Sequence, residues 1–141
     1  KHVLLAPVDN GVVVWRFKAG KAQVQCNGGP FEMVSAAMSP DGTRLVSGST
    51  EGKVIVWDFQ LGETCVPLQI LPHSPAGGGR DVDWTAYSPD SQRVLTAAPF
   101  FSPLAKVWDF DTQTVRTLRH DDGLDDVHDG VESAAFSADG D

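Results

Sequence analysis

Short apolar runs alternate along the chain with clusters of turn-forming residues. Between Lys53 and Trp57 the residues alternate and are β-branched, which suits a pleated, half-buried strand. No stretch keeps a helical period over about 11 residues. The pattern therefore predicts an all-β fold built from hairpins. The predicted strands are Val3–Ala6, Val12–Phe17, Ala22–Cys26, Val34–Met38, Arg44–Ser49, Lys53–Phe59, Val66–Leu71, Val82–Tyr87, Arg93–Ala98, Ala105–Phe110, Val115–Arg119 and Val131–Phe136.

A serine-containing turn recurs at a fixed spacing. Ser39, Ser88 and Ser137 begin three similar segments that are 49 residues apart. The first of these turns reads Ser-Pro-Asp-Gly, which matches a type I turn because Pro40 fixes φ at the second position and Gly42 suits the fourth. Such self-similarity predicts a repeat architecture.

Strands that carry a tryptophan near their end alternate with these turns, at Trp15, Trp57 and Trp108. Four strands per repeat is the content of one propeller blade, and 141 residues hold about three such units. We therefore expect about three blades of four antiparallel strands. The expected divisions are blade parts at residues 1–31 and 131–141 and whole blades at 32–80 and 81–130.

This combination of motifs resembles the WD-repeat β-propeller family, most closely over residues 39–58 and more loosely over the whole chain. The resemblance implies a hydrogen-bonded set in each blade: a His, a Ser or Thr, an Asp and the Trp. The residues that map to this set and to the Trp-Asp pair are Asp9, Trp15, Ser47, Glu51, Trp57, Asp58, Thr96, Trp108 and Asp109. The match is incomplete, because Glu51 replaces the usual Asp and Leu5 stands where the first repeat should carry a hydroxyl. His73 and His120 could supply histidines.

The repeat frame is open at both ends. Residues 137–141 followed by residues 1–5 would restore the repeat to within one residue. Three blades cannot close a ring of the usual four to eight. The favoured explanation is a piece of a longer propeller. The alternative is a homo-oligomer, in which two chains would give six blades.

The charge balance limits the classes of partner. The chain has 11 Lys and Arg against 19 Asp and Glu, a net charge of −8, which argues against nucleic acid and suits basic partners. No apolar run approaches the roughly 20 residues that span a bilayer, so no membrane association is expected. Cys26 and Cys65 lie far apart and outside any C-x-x-C motif, which favours free thiols in a reducing compartment such as the cytoplasm.

Little in the sequence points to catalysis or to a cofactor. Residues 120–129 hold five Asp and two His, which could bind a divalent cation, but the spacing is not that of an EF-hand. We interpret this segment as a solvated acidic connector. Nor is there a Gly-x-Ser-x-Gly nucleophile motif. We predict no enzymatic activity, no cofactor and no metal site.

The resemblance implies a protein-interaction scaffold whose partners bind the loops before each inner strand and the turns between second and third strands. The predicted partner-binding residues are Val8, Glu32, Thr50, Asp81, Phe101, Asp126, His128 and Asp129. The acidic members predict basic peptide segments as partners. Trp84 stands where other repeats carry Ser35 and Ser133, and we favour packing over ligand binding for its ring. Two alternatives stay open: a self-assembling structural module, and a regulatory domain of a larger enzyme.

Overall fold

A computed structural model of the chain describes residues 3–16, 23–60, 64–73, 81–98, 104–119, 131 and 133–140. Within these ranges the chain forms eleven β-strands and no helix, so no helix there could cross a bilayer. The strands are β1 (Val3–Val8), β2 (Gly11–Arg16), β3 (Gln23–Asn27), β4 (Met33–Met38), β5 (Arg44–Ser49), β6 (Lys53–Gln60), β7 (Thr64–Pro72), β8 (Trp84–Tyr87), β9 (Arg93–Ala97), β10 (Leu104–Asp109) and β11 (Thr114–Arg119).

The strands form three antiparallel sheets in which neighbours in sequence pair with each other. The first sheet contains β1, β2 and β3, the middle sheet β4 to β7, and the third sheet β8 to β11. Short connections between successive strands make each sheet a simple meander, as expected when turn signals separate strand-forming runs. The predicted all-β architecture of antiparallel propeller blades is confirmed.

The faces between the sheets hold the core. β6 lies in the middle of the central sheet, and Val54 to Trp57 are buried on both of its faces. One apolar cluster joins the first and middle sheets: Val12, Val14, Cys26, Met33, Leu45, Ile55, Trp57 and Phe59. The other joins the middle and third sheets: Val46, Val54, Val56, Leu71, Val82, Val94 and Trp108.

The predicted strand Val131–Phe136 is not a strand in this structure. Its described residues instead lie against the third sheet, where Val131, Ala134 and Phe136 contact the cluster of Leu95 and Ala105. A strand needs a neighbour for its N–H and C=O groups. No strand among the described residues pairs with this segment, which explains the difference.

The serine turns share one hydrogen-bond arrangement. The Ser39 hydroxyl donates to Asp41 Oδ1 at 2.6 Å and accepts from the Arg44 backbone N–H at 2.9 Å. Gly42 follows with a φ of +75°, which glycine adopts without strain. The second turn repeats the pattern around Ser88, but Ser91 occupies the glycine position with a φ of +63°.

The two cysteines form a disulfide, so the prediction of free thiols is wrong. Cys26 on β3 and Cys65 on β7 are bonded, with their Cα atoms 5.1 Å apart. The bond joins the last strand of the first sheet to the last strand of the middle sheet. Disulfides persist in oxidising environments. Cytoplasmic location, which rested on free thiols, therefore stays a prediction without that support.

Candidate interaction surface

Two buried tryptophans are held by hydroxyl groups of the neighbouring strand. The indole Nε1 of Trp57 donates to Ser47 Oγ at 3.0 Å, and that of Trp108 donates to Thr96 Oγ1 at 3.0 Å. Ser47 and Thr96 are themselves fully buried. These bonds give the buried indole N–H groups the partners that they need in an apolar interior.

His73 extends this set in the third sheet. Its Nδ1 lies 2.8 Å from Thr96 Oγ1, so one hydroxyl contacts both the imidazole and the indole of Trp108. Burial, and to a smaller extent the positive charge of Lys106, lowers the pKa of His73 from 6.5 to about 4. The imidazole is therefore neutral at pH 7. Its buried Nε2 has no hydrogen-bond partner among the described residues.

Gly28 takes the position before the middle sheet that corresponds to His73. Each residue follows the last strand of a sheet and donates its backbone N–H to the turn between the second and third strands: Gly28 to Asn10 and His73 to Gly52. A Cβ on Gly28 would lie 2.7 Å from Met33 Cε, so a side chain at this position would have to displace the methyl group of Met33. Met33 fills the space instead.

Trp15 differs from the other two motif tryptophans. It is 37% exposed, whereas Trp57 is fully buried. The strand register shows that Ala6, which pairs with Val13, is the counterpart of Ser47. The sequence had suggested Leu5 for this position. Since Ala6 carries no hydroxyl either, Trp15 lacks the partner that Trp57 has.

The remaining motif residues lie in or near turns. Asp109 Oδ1 accepts from the Thr112 backbone N–H at 2.8 Å, and hydrogen bonds from Thr112 lower the pKa of Asp109. Asp58 is half-buried at the corresponding place in the middle sheet. Asp9 and Glu51 are exposed in the turns after β1 and β5. The structure thus places these two carboxylates at the sheet edge that the predicted partner-binding residues share.

Backbone hydrogen bonds join turns and loops along this edge. The Thr50 N–H donates to the carbonyl of Glu32 at 3.0 Å, and the Val82 N–H donates to the carbonyl of Ser49 at 3.0 Å. The Ser35 hydroxyl also donates to the carbonyl of Val82 at 2.6 Å. We call residues 8–10, 28–32, 49–52 and 81–83 the upper edge.

The upper edge includes four of the eight predicted partner-binding residues. These are Val8, Glu32, Thr50 and Asp81. The other four, Phe101, Asp126, His128 and Asp129, lie outside the described residues, as does the acidic segment 120–129. In the described part of the chain, no group of three or more His, Cys, Asp or Glu side chains could hold a metal ion.

The upper edge is uniformly acidic. Its residues include Asp9, Glu32, Glu51, Asp81 and Asp83, and no Lys or Arg. Partial burial and the negative charge of Asp81 raise the pKa of Asp83. Like charges therefore repel each other at this place, and an approaching cation would relieve that repulsion.

Trp84 adds an aromatic ring to this acidic edge. Sequence reasoning had assigned that ring to packing. Its Nε1 donates to the carbonyl of Ala134, while 40% of the side chain stays exposed. Ser35, at the same position of the middle sheet, is buried. A tryptophan at a position that is serine in the other repeats was the sequence signal. The hydrogen bond fixes one edge of the indole and leaves part of the ring accessible to solvent.

Comparison with known proteins shows which proteins the chain is similar to. Residues 23–58 match the family model "WD domain, G-beta repeat". The chain is 33% identical over 81 residues to WD repeat-containing protein 1 of Gallus gallus, covering 55% of this chain and 12% of that protein. It is 24% identical over 100 residues to WD repeat-containing protein SL1-17 of Schistosoma mansoni, covering 70% and 31%. It is 32% identical over 76 residues to Coronin-7 of Rattus norvegicus, covering 54% and 8%. The matched region is thus less than a third of each of these relatives.

Proposed function

The chain belongs to the WD-repeat family, and we propose that it is a protein-interaction scaffold whose upper edge binds a basic segment of a protein partner. WD repeats are in general non-catalytic interaction modules. Repeat proteins use surfaces built from successive repeats in this way. We accordingly propose no catalytic role for these residues.

The acidic upper edge is the observation that carries this proposal. The residues defined as the upper edge include five carboxylates and no Lys or Arg, and backbone hydrogen bonds join their segments. A Lys or Arg side chain near Asp81 and Asp83 would replace the repulsion between these two groups by attraction. Bound cations should therefore lower the pKa of Asp83.

Trp84 supports the same kind of ligand. Its partly exposed indole directly follows Asp83 in the chain. A cation against an aromatic face gains about 0.5–2 kcal/mol, with the larger values where water is excluded. An Arg or Lys could thus use both the carboxylates and the indole.

A fluorescence titration tests this proposal. An unstructured peptide rich in Lys and Arg should change the tryptophan emission and bind more weakly as salt is added. A peptide of the same length with Glu at the basic positions should not bind. Asp81→Asn combined with Asp83→Asn should weaken binding at least about tenfold, because each substitution removes an attractive charge.

Asp111→Asn is the matched control for charge. Asp111 is exposed in the turn between β10 and β11, outside the upper edge. Its substitution makes the net charge less negative by one unit, as each of the other two does, but should leave affinity within about twofold. Equal losses from both sets of variants would mean that net charge alone attracts the peptide, and the proposed surface would be wrong.

Two alternatives stay open beside the scaffold, a self-assembling structural module and a regulatory domain of a larger enzyme. A regulatory domain of a larger enzyme fits the small share that the chain covers of its relatives, but no observation favours it. Peptide binding would be compatible with either arrangement. The scaffold is preferred because the upper edge supplies a surface of defined charge.

A further inference from the structure

The middle and third sheets are joined by hydrogen bonds as well as by apolar packing. The Ser35 hydroxyl donates to the carbonyl of Val82 at 2.6 Å, close to the upper edge. The Tyr87 hydroxyl donates to the carbonyl of Leu45 at 3.2 Å, close to the serine turns. These two bonds lie at opposite ends of the inner strands, so they hold the two sheets together along their length.

The junction between the first and middle sheets contains a covalent link. Its described residues include the apolar cluster around Trp57 and the disulfide between Cys26 and Cys65. These cysteines lie on β3 and β7, which are the last strands of their sheets among the described residues. The disulfide thus ties together the outer edges of two neighbouring sheets.

The two cysteines of this bond differ in their access to solvent. Cys26 is fully buried in the apolar cluster, whereas Cys65 is only partly buried and is followed by Val66, which is 52% exposed. A disulfide is reduced when a thiolate attacks one of its sulfur atoms, and access helps to decide which one. A thiolate that arrives from solvent should therefore attack Cys65.

We propose that Cys65 is a redox modification site through which a dithiol releases the first sheet from the middle sheet. A thiolate of the dithiol bonds to Cys65 Sγ, and Cys26 Sγ leaves with the electron pair of the broken bond and takes up a proton. The second thiol of the dithiol loses its proton and attacks the sulfur already bound to Cys65. The dithiol becomes an internal disulfide, and Cys65 leaves as a thiolate that is protonated, so two electrons pass to the protein.

Reduction acts on one junction and leaves the other intact. The first sheet then keeps its apolar contacts with the middle sheet but loses the link at its outer edge. The bonds that join the middle and third sheets do not involve either cysteine. Residues 28–32 connect β3 to β4 and carry Glu32, so the release would reach the upper edge. A lower affinity of that edge for a basic segment after reduction is a consequence that rests on the proposed function.

Mapping of a mixed disulfide tests the site of attack. The full chain is treated briefly with glutathione and alkylated with N-ethylmaleimide, and mass spectrometry locates both groups. Glutathione on Cys65 with maleimide on Cys26 should be at least about ten times as frequent as the reverse. In denaturant the two arrangements should be about equally frequent, because both sulfur atoms are then accessible. Predominant attack on Cys26 in the folded chain would overturn the proposal.

Two lysine variants test the same assignment through charge. Glutathione is an anion at neutral pH, so Val66→Lys, next to Cys65, should accelerate its attack about threefold at low salt. Leu118→Lys is the matched control, because Leu118 is 46% exposed but lies on β11 of the third sheet. It should change the rate less than about 1.5-fold. Equal acceleration by both variants would contradict attack at Cys65.

Hydrogen exchange tests the release of the first sheet. The full chain is compared in its oxidised form and after reduction by dithiothreitol, with no peptide present. Reduction should accelerate the exchange of β2 and β3 at least about tenfold and that of β9 and β10 less than about twofold. Equal acceleration in both sheets, or none in either, would overturn the proposal. Peptide titration of the oxidised chain tests the proposed function separately, so the failure of one proposal can be distinguished from the failure of the other.

Discussion

Thr96 Oγ1 lies 2.8 Å from the imidazole Nδ1 of His73, and this contact joins the end of the middle sheet to the second strand of the third sheet. The same hydroxyl accepts the indole N–H of Trp108. A single buried oxygen thus connects residues of β9 and β10 with the residue that follows β7. The positions of the imidazole and of the indole both depend on it.

The free energy of unfolding should depend on pH through His73. Its pKa is near 6.5 in the unfolded chain and about 4 in the folded one, so the unfolded state takes up a proton first as the pH falls. The contribution of His73 to the free energy of unfolding is fully present above about pH 6.5. It declines as the pH falls toward 4, by at most about 3 kcal/mol. Urea unfolding at several pH values measures the slope.

The variant His73→Gln isolates this contribution, because glutamine is polar but does not titrate. Its stability should be lower at pH 7 and should change less between about pH 6.5 and about pH 4.5. A wild-type slope that His73→Gln leaves unchanged would contradict the assignment to His73.

Removing the hydroxyl of Thr96 should be costly. Thr96→Val leaves the indole N–H of Trp108 and the imidazole of His73 without their partner, so we expect a loss of about 2–3 kcal/mol. Thr96→Ser keeps the hydroxyl and should lose less than about 1.5 kcal/mol. Ser47→Ala deprives only Trp57 of a partner, and its cost should lie below that of Thr96→Val. Denaturant unfolding of the three variants compares them directly.

Gly48 on β5 allows the segment before β8 to approach the middle sheet closely. A Cβ at this position would lie 2.2 Å from the carbonyl oxygen of Val82 and 2.6 Å from Ser35 Oγ. Gly48→Ala should therefore cost at least about 2 kcal/mol, measured by denaturant unfolding. Gly29→Ala serves as the comparison, because Gly29 has a φ of +83° but open space around it. Backbone strain alone should cost about 1–2 kcal/mol there.

Reduction of the disulfide should destabilise the chain. The bond between Cys26 and Cys65 closes a loop with a sequence separation of 39, for which the chain-entropy model gives about 3–4 kcal/mol. Thermal unfolding with and without a dithiol reductant measures the effect. The variant Cys65→Ser should match the reduced wild type and should not respond to reductant. We choose Cys65 because Cys26 is fully buried, where a serine would add the cost of an unpaired hydroxyl.

Local sequence patterns predicted the strands well, because the turn residues and the alternation act over a few neighbouring positions. The turn around Ser39 is an example, since the hydrogen bonds of the Ser39 hydroxyl join residues within five positions of each other. Eleven of the twelve predicted strands have a counterpart. The exception, at residues 131–136, depends on a pairing partner, and local sequence does not supply one.

Contacts between sheets were the part that sequence reasoning missed. The pairing of Cys26 with Cys65 requires that the last strands of two sheets lie side by side, which neither cysteine's neighbours reveal. The exposed position of Trp84 depends in the same way on the residues that follow the third sheet. The assignment of Leu5 as the counterpart of Ser47 failed by one residue, because the turn after β1 is shorter than the turn after β5.

The disulfide also determines how the chain would respond to a protease. Gly29 and Pro30 are exposed between β3 and β4, and they lie inside the loop that the bond closes. A cut at this place would leave both fragments covalently attached. The nicked protein would migrate as one band on a denaturing gel and separate into two only after reduction.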